Sequence, residues 1–272
     1  MRAVEIREYG KAFVVVDRDI PSPKKGEVVL QVKASGLCST DIHILEGRMD
    51  LGTLPRVPGH EIAGVIHQVG QGVQGWEKGD RVTVAVDVVC RACRHCREGQ
   101  TQRCTDKVRL GFERDGGHAD YVSVPMENLV RLPDRLSFEE ASILPDAVAC
   151  MYHSLVGQGR VGQGARVVIL GAGGLGLHGI QIAVSLGARV LATSRNGARL
   201  KAAEEQGAVP VNTSEADLEA EVRNFTGGEG ADVVADCIGT EESIRLGLKI
   251  VRPGGKVLVI AYLANEFKVP SI

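Results

Sequence analysis

Four cysteines lie close together in the first half of the chain and could bind a metal ion. They are Cys90, Cys93, Cys96 and Cys104, four of the seven cysteines in 272 residues. Four thiolates at this spacing can surround a tetrahedral Zn²⁺ and leave no position open, so such a site is structural. An iron–sulfur cluster is one alternative, because ferredoxins also use two-residue gaps; unliganded or disulfide-linked cysteines are another. We expect zinc, since the Cys-Pro ending and the second half of a ferredoxin pattern are absent from the sequence.

A glycine-rich segment in the second half follows a short apolar run. It consists of Gly171, Ala172, Gly173, Gly174, Leu175 and Gly176. A GxGxxG pattern that follows a strand and opens a helix is typical of dinucleotide binding. Gly171 would permit the tight turn, Gly173 would let the backbone approach a pyrophosphate, and Gly176 would allow close helix–strand packing. The N–H groups of the helix N-terminus, with Gly174 and Leu175, would face the phosphates. The alternative is a glycine-rich turn that binds nothing.

The end of the next strand indicates which nicotinamide cofactor is preferred. A carboxylate there bonds the adenosine ribose of NAD, whereas a nearby Arg accommodates the 2′-phosphate of NADP. This strand ends in Ser194 and Arg195, without a carboxylate. A serine hydroxyl can hydrogen-bond a phosphate oxygen and an arginine can pair with its charge, so the sequence favours NADP over NAD. Alternatively, Arg195 is only the exposed start of the following helix.

A third group of potential ligands is less distinctive. Cys38 is followed by Thr40, Asp41 and His43, and His60 comes later within Gly-His-Glu. Taken alone, these residues would be explained by a buried cysteine and a histidine in a turn.

The elements that would position these groups differ between two parts of the chain. Residues 1–136 contain short β-like runs cut by Gly and Pro, for example at 28–32 and 121–124, which suggest a small, partly open barrel. From residue 137 strands and helices alternate. Helices are predicted at 138–155 (interrupted by Pro145), 175–186 and 198–206, and strands at 167–170, 189–193, 232–235 and 256–260. This order predicts a parallel, doubly wound sheet in residues 137–272.

Composition and charge exclude several classes of partner. The net charge of −2 is spread over scattered acidic and basic residues, so we expect neither nucleic acid nor an anionic membrane as a partner. No apolar run approaches the roughly 18 residues that span a bilayer. The start of the chain has no feature of a signal peptide, and we therefore expect a cytoplasmic protein, in which clustered cysteines indicate metal binding.

The motifs resemble, in their order along the chain, the zinc-containing medium-chain alcohol dehydrogenases. The resembling segments are residues 36–41 (GLCSTD), 58–64 (PGHEIAG), the four-cysteine lobe 90–104, 115–121 (DGGHADY) and the glycine-rich loop. The resemblance implies a GroES-like, partly open β-barrel domain (1–136) and a Rossmann domain (137–272). It also implies reversible hydride transfer between a secondary or bulky primary alcohol and NAD(P). A zinc-free quinone or enoyl reductase of the same superfamily is an alternative, although those enzymes typically lack both cysteine-containing motifs. A non-catalytic fragment that binds only zinc or nucleotide is another.

The resemblance also implies a catalytic zinc. Cys38 and His60 match the family's first two ligands. The third, usually a cysteine, falls at Asp146, and a carboxylate is a competent zinc ligand; alternatively, Asp146 caps a helix. Glu61 would approach the metal as an alternative ligand, and Asp41 would hydrogen-bond the second nitrogen of His60.

The resemblance further assigns the proton path and the assembly. Thr40 would accept the alcohol proton, and His43 would relay it to solvent through the cofactor ribose. We expect two zinc ions per chain, a small alcohol or carbonyl substrate, and a homo-oligomer (dimer or tetramer) in the full-length form. Family members usually run further, so the chain resembles a member truncated after its fifth Rossmann strand. The remaining histidines are interpreted as structural or surface residues, namely His67, His95, His118, His153 and His178.

Overall fold

The structure is a computed structural model that describes residues 1–261 and 266–268. It separates into two units, Met1–Asp146 and Ala147–Ile272. The division lies later than the boundary expected after residue 136, because residues 138–142 form a helix that packs on the first unit. In that helix Ala141 is buried against Ala63 and Leu132.

The first unit is mostly antiparallel β-structure. Its elements are β1 (Arg2–Glu5), β2 (Val14–Asp17), β3 (Glu27–Gly36), α1 (Ser39–Leu45), β4 (Glu61–Val69), β5 (Arg81–Val84), β6 (Asp87–Val88), α2 (Arg94–Arg97), β7 (Val108–Arg109), β8 (Tyr121–Pro125), β9 (Leu129–Arg131) and α3 (Phe138–Ser142). Five strands form one sheet in the order β8-β3-β4-β5-β9. Alternate residues of these strands, among them Leu30, Ile62 and Val82, point to one side and form the core.

The pairing of β3 with β4 brings two distant parts of the sequence together. Gly36, the last residue of β3, pairs with Glu61, the first residue of β4. Because the strands are antiparallel, the residues after β3 and the residues before β4 lie at the same edge of the sheet. This register places Cys38 beside His60.

The second unit is a parallel sheet with helices between its strands. Its elements are α4 (Ala149–Tyr152), β10 (Arg166–Leu170), α5 (Gly174–Ser185), β11 (Arg189–Ser194), α6 (Gly197–Glu205), β12 (Val209–Asn212), α7 (Leu218–Thr226), β13 (Ala231–Asp236), α8 (Glu241–Ile250) and β14 (Val251–Val259). The strand order is β12-β11-β10-β13-β14. Successive strands are added on one side of β10 up to β12, and then on its other side from β13 onward. Ligands of doubly wound sheets bind at the point where this order switches, between β10 and β13. The predicted fold class, a GroES-like β-domain and a Rossmann domain, is confirmed.

Two details differ from the sequence-based expectation. The helix expected over 138–155 is broken into α3, a wide turn at Leu144–Val148, α4 and a second wide turn at His153–Gln158. Pro145 lacks the N–H that a regular helix requires, which accounts for the first break. Strand β12 and helices α7 and α8 were not individually predicted, and the last residues expected beyond the fifth strand, 269–272, lie outside the described residues.

Among the described residues, no helix is long and apolar enough to cross a membrane. The cytoplasmic location, the absence of a nucleic-acid partner and the homo-oligomer stay predictions.

Candidate zinc and cofactor sites

The four clustered cysteines converge on one point. They lie on the loop between β6 and β7, which contains α2 and a short helical turn at Thr101–Arg103. Cys90 Sγ lies 3.5 Å from Cys104 Sγ and 4.0 Å from Cys96 Sγ, and all four sulfurs lie within 4.8 Å of one another. A tetrahedral zinc with Zn–S bonds of about 2.3 Å requires S···S separations of about 3.8 Å. The cluster therefore fits a zinc ion without rearrangement.

Backbone N–H groups prepare this cluster for thiolate ligands. Those of Cys96 and Thr105 lower the pKa of Cys93 to about 6. Burial and the neighbouring cysteines instead raise the pKa of Cys96 to about 12. Four thiolates cannot coexist at this distance without a cation, so zinc binding must displace protons from the set.

A second set of ligand atoms comes from three separate segments of the first unit. Cys38 Sγ, His60 Nε2 and Asp146 Oδ2 lie near one another, with 3.9 Å between the sulfur and the carboxylate oxygen and 3.4 Å between the imidazole and that oxygen. Tetrahedral zinc with ordinary Zn–S, Zn–N and Zn–O bonds requires about 3.6 Å and about 3.4 Å for these pairs. Three ligands of this kind can hold a zinc ion and leave a fourth position open.

Local structure fixes two of these three side chains. Cys38 is the N-cap of α1: its sulfur accepts the Thr40 N–H, and its own N–H donates to Asp41 Oδ2 at 3.0 Å. His60 follows Gly59, whose φ of +95° favours glycine, and its ring packs on Phe112 with centroids 5.2 Å apart. His60 is only 3% exposed.

The third ligand, Asp146, lies in the wide turn Leu144–Val148. Pro145 precedes it, and the turn directs its carboxylate to Cys38 and His60. The alternative expectation, that Asp146 only caps a helix, gives no reason for this orientation.

The groups around His60 favour a positive charge on its ring. Burial lowers its pKa, but hydrogen bonds with Asp146 and Cys38 and the charges of Asp41 and Asp146 raise it to about 10. Zinc can bind only the neutral ring, so it must release this proton. The arrangement is thus one in which a cation, either H⁺ or a metal, is stabilised between Cys38 and Asp146.

The structure does not bring Glu61 into this set. Among the described residues, the group whose ligand atoms converge contains Cys38, His60 and Asp146 but not Glu61. The Glu61 carboxylate instead packs on Gly36, where an added Cβ would clash with Oε2. Because β3 and β4 pair at these two residues, the side chain lies against β3, and the expectation that Glu61 approaches the metal as an alternative ligand stays a prediction.

Thr40 and His43 lie three residues apart on α1 and therefore on the same face of that helix. Thr40 Oγ1 is 3.4 Å from Cys38 Sγ, next to the potential metal position. Both side chains are half-buried. Their placement is compatible with the expected proton path, which stays a prediction.

Sequence analysis missed the position of His118, which was interpreted as structural or surface. Its Nε2 lies 3.5 Å from Asp41 Oδ2, behind His60. The signal was present in the segment Asp-Gly-Gly-His, because two glycines before a histidine allow its backbone to approach another loop closely.

The glycine-rich loop has the geometry of a nucleotide-binding turn. Gly171 adopts a φ of +93°, and a Cβ on Gly176 would lie 2.0 Å from the Gly171 carbonyl oxygen. Thr193, at the neighbouring strand end, accepts the Gly171 N–H at 3.1 Å. Within residues 1–261 and 266–268, no atom outside α5 lies within 4 Å of a Cβ built on Gly174, the first residue of that helix, so these residues leave space beside the helix N-terminus.

Polar and basic side chains surround this space. Ser194 Oγ accepts the Asn196 N–H at 3.1 Å, and Arg195 is exposed. Arg199 was not predicted: its Nη1 lies 4.0 Å from a Cβ built on Gly173. Two guanidinium groups therefore flank the loop and the end of β11, where no carboxylate follows Thr193 directly.

Comparisons with known proteins agree with this arrangement. The family model described as "Alcohol dehydrogenase GroES-like domain" matches residues 24–134, and "Zinc-binding dehydrogenase" matches residues 174–271. A sorbitol dehydrogenase of Halalkalibacterium halodurans is 33% identical over 97% of this chain and 78% of its own length. An L-threonine 3-dehydrogenase of Pyrococcus furiosus is 34% identical over 96% and 75%. The structure of alcohol dehydrogenase TADH from Thermus sp. ATN1 is 33% identical and superposes with a TM-score of 0.91, covering 99% of this chain and 80% of that one.

Proposed function

The chain belongs to the zinc-binding alcohol dehydrogenase family, and we propose that it transfers a hydride reversibly between a secondary or bulky primary alcohol and NADP. The observation that carries this proposal is the convergence of Cys38 Sγ, His60 Nε2 and Asp146 Oδ2. Their separations are those of tetrahedral zinc with a fourth position open to substrate. The four-cysteine cluster would hold a second, structural zinc, which gives two zinc ions per chain.

The zinc ion, when bound, acts as a Lewis acid that lowers the pKa of an alcohol hydroxyl or polarises a carbonyl. The residues of the chain would orient the ligands and transfer the proton. Asp41 Oδ1 lies 3.8 Å from His60 Nδ1 and would accept its N–H in the zinc-bound protein, which would leave Nε2 as the ligand atom. Thr40 Oγ1, beside Cys38, accepts the alcohol proton while its own hydroxyl proton passes on toward His43. The imidazole of His43, half-buried on the same helix, then passes a proton on to water.

The preference for NADP rests on charge at the adenosine end. Ser194 and Arg195 offer a hydroxyl and a guanidinium to a 2′-phosphate, and Arg199 adds a second cation near the glycine-rich loop. A carboxylate at residue 194 would instead bond the ribose hydroxyls of NAD. The charges present here suit an additional phosphate.

A substrate panel with metal analysis tests the proposal. Zinc-replete wild type should oxidise secondary alcohols with NADP, and Cys38→Ser should lose this activity while keeping one zinc and the fold. Zinc binding without any activity would favour a non-catalytic binding protein. Activity that survives both Cys38→Ser and zinc removal would favour a zinc-free reductase and refute the proposal.

A further inference from the structure

A series of polar side chains, of which Asp41 and His60 are buried, extends from Ser35 to the zinc-ligand candidate His60. Ser35 Oγ lies 2.8 Å from His118 Nδ1, and His118 Nε2 lies 3.5 Å from Asp41 Oδ2. The other carboxylate oxygen, Asp41 Oδ1, lies 3.8 Å from His60 Nδ1. Asp41 is fully buried, so protein groups rather than bulk water must satisfy its charge.

The Asp41 carboxylate favours one tautomer of His118, and the Ser35 hydroxyl is compatible with it because it can donate to Nδ1. A neutral imidazole carries one N–H and one lone pair. If Nδ1 carried the hydrogen, the lone pair of Nε2 would face the Asp41 carboxylate, which is repulsive. With the Ser35 hydroxyl donating to Nδ1, the hydrogen is on Nε2 and points to Asp41 Oδ2.

Backbone hydrogen bonds hold His118 against the loop that carries His60. Three consecutive N–H groups, at residues 116, 117 and 118, donate to the carbonyls of residues 57, 59 and 58 at 2.8, 2.8 and 3.0 Å. A Cβ on Gly59 would lie 2.6 Å from His118 Nδ1. His118 is thus fixed directly beside the residue that precedes the ligand.

Two contacts in the series, at 3.5 and 3.8 Å, are longer than hydrogen bonds. Asp41 Oδ1, His60 Nδ1 and His118 Nε2 are buried and have no partner at hydrogen-bond geometry among the described residues. Buried polar groups are costly unless paired. Zinc on Nε2 of His60 leaves its Nδ1–H to donate to Asp41, and only short movements close both gaps.

We propose that His118 is a positioning residue of the zinc site: its Nε2–H holds the Asp41 carboxylate that orients His60 toward the metal. This inference rests on the proposed function, since it requires zinc at Cys38, His60 and Asp146. Replacing a residue that hydrogen-bonds to a metal ligand typically lowers metal affinity by about 10- to 100-fold. Because His118 acts through Asp41, we expect an effect of about tenfold.

Two substitutions separate hydrogen bonding from packing. His118→Gln places an amide N–H near the position of Nε2 and keeps a donor for Asp41. His118→Asn reaches only the position of Nδ1 and keeps the contact with Ser35 but not the donor. His178→Asn, on α5 of the other unit, is the control for loss of a histidine. The full chain with both zinc ions is titrated with a chelator, and the remaining zinc and the absorption bands of the cobalt-substituted protein are measured.

The proposal predicts that wild type, His118→Gln and His178→Asn lose the second metal at the same chelator concentration. His118→Asn should lose it at about one-tenth of that concentration, with shifted cobalt bands, while the cysteine-bound zinc stays. Equal affinity in His118→Asn and wild type, or equal weakening in the Asn and Gln variants, would overturn the proposal. If His118→Asn does not fold, His118→Phe, which keeps a ring but offers no N–H to Asp41, replaces it, and unchanged affinity there overturns the proposal.

A separate outcome identifies failure of the proposed function itself. If wild type binds only one zinc, and Cys38→Ser does not change the number bound, then the catalytic site does not exist as proposed. In that case His118 has no metal site to position.

Discussion

Replacing two residues at the end of β11 should exchange the cofactor preference. The perturbation is Ser194→Asp with Arg195→Ala. Ser194 Oγ already accepts the Asn196 N–H, and an aspartate can make the same local bond, so the backbone turn should survive. The variant removes one cation and adds one anion where the 2′-phosphate of NADP is expected.

The size of the effect follows from the groups exchanged. Loss of one charge-assisted hydrogen bond costs at least about 1.5 kcal/mol. A carboxylate about 4 Å from a phosphate charge adds about 1 kcal/mol of repulsion even in water. Together, about 2.5 kcal/mol corresponds to an NADP affinity about 60-fold lower. Bonds from the new carboxylate to the ribose hydroxyls should raise NAD affinity by about tenfold.

The assay is a pair of dissociation constants for NADP and NAD, measured by nicotinamide fluorescence or calorimetry. Lys201→Ala is the matched control, since it removes a cation from α6 that pairs with Glu205 instead of flanking the loop. Arg199→Ala should weaken NADP by less than the double variant. Equal affinities for both cofactors in the wild type, or no gain for NAD in the double variant, would refute the reasoning.

Three further predictions concern metal content and stability. Cys93→Ser should abolish binding of one zinc and lower the melting temperature of the first unit, whereas Cys38→Ser should leave that melting temperature unchanged; elemental analysis and calorimetry would show an error if both variants behaved alike. Thr83→Val should cost about 1–2 kcal/mol, because its buried hydroxyl lies 2.9 and 3.0 Å from two carbonyl oxygens; Thr83→Ser should recover most of this in urea unfolding. Asp232→Asn should destabilise the second unit at neutral pH, because hydrogen bonds from Arg166 hold the Asp232 pKa well below its usual range. The stabilisation from a depressed carboxyl pKa is complete above the unfolded value of about 3.9 and is lost as the pH falls toward the lower folded value. The difference from wild type should therefore shrink below about pH 4, and a constant difference would contradict the assignment.

The sequence predicted those features that depend on residues close to one another in the chain. The four cysteines, the glycine-rich loop and the strands around it follow from residue types that are near one another in the chain. The third ligand position, Asp146, came only from the family resemblance, because nothing local to Leu-Pro-Asp indicates metal binding. The structure adds a reason for its orientation, the wide turn at Leu144–Val148.

The sequence could not predict contacts that depend on strand register and on how loops pack together. The contact of the Glu61 carboxylate with Gly36 depends on how β3 pairs with β4, and the expected approach of Glu61 to the metal stays a prediction. His118 was interpreted as a structural or surface residue. Backbone hydrogen bonds between residues 116–118 and 57–59 place it next to Asp41, on the side of His60 away from the other two ligand candidates. Arg199 was overlooked because its nearness to Gly173 depends on how α6 packs beside the loop.

Direct observation of hydride transfer tests the central claim. Isopropanol carrying deuterium on its carbinol carbon is incubated with NADP and the zinc-replete protein, and the nicotinamide is analysed by NMR. The account predicts deuterium on the reduced nicotinamide ring with wild type and none with Cys38→Ser that retains its cysteine-bound zinc. Absence of label from the cofactor with wild type that carries two zinc ions, across isopropanol and larger deuterated secondary alcohols, would contradict it.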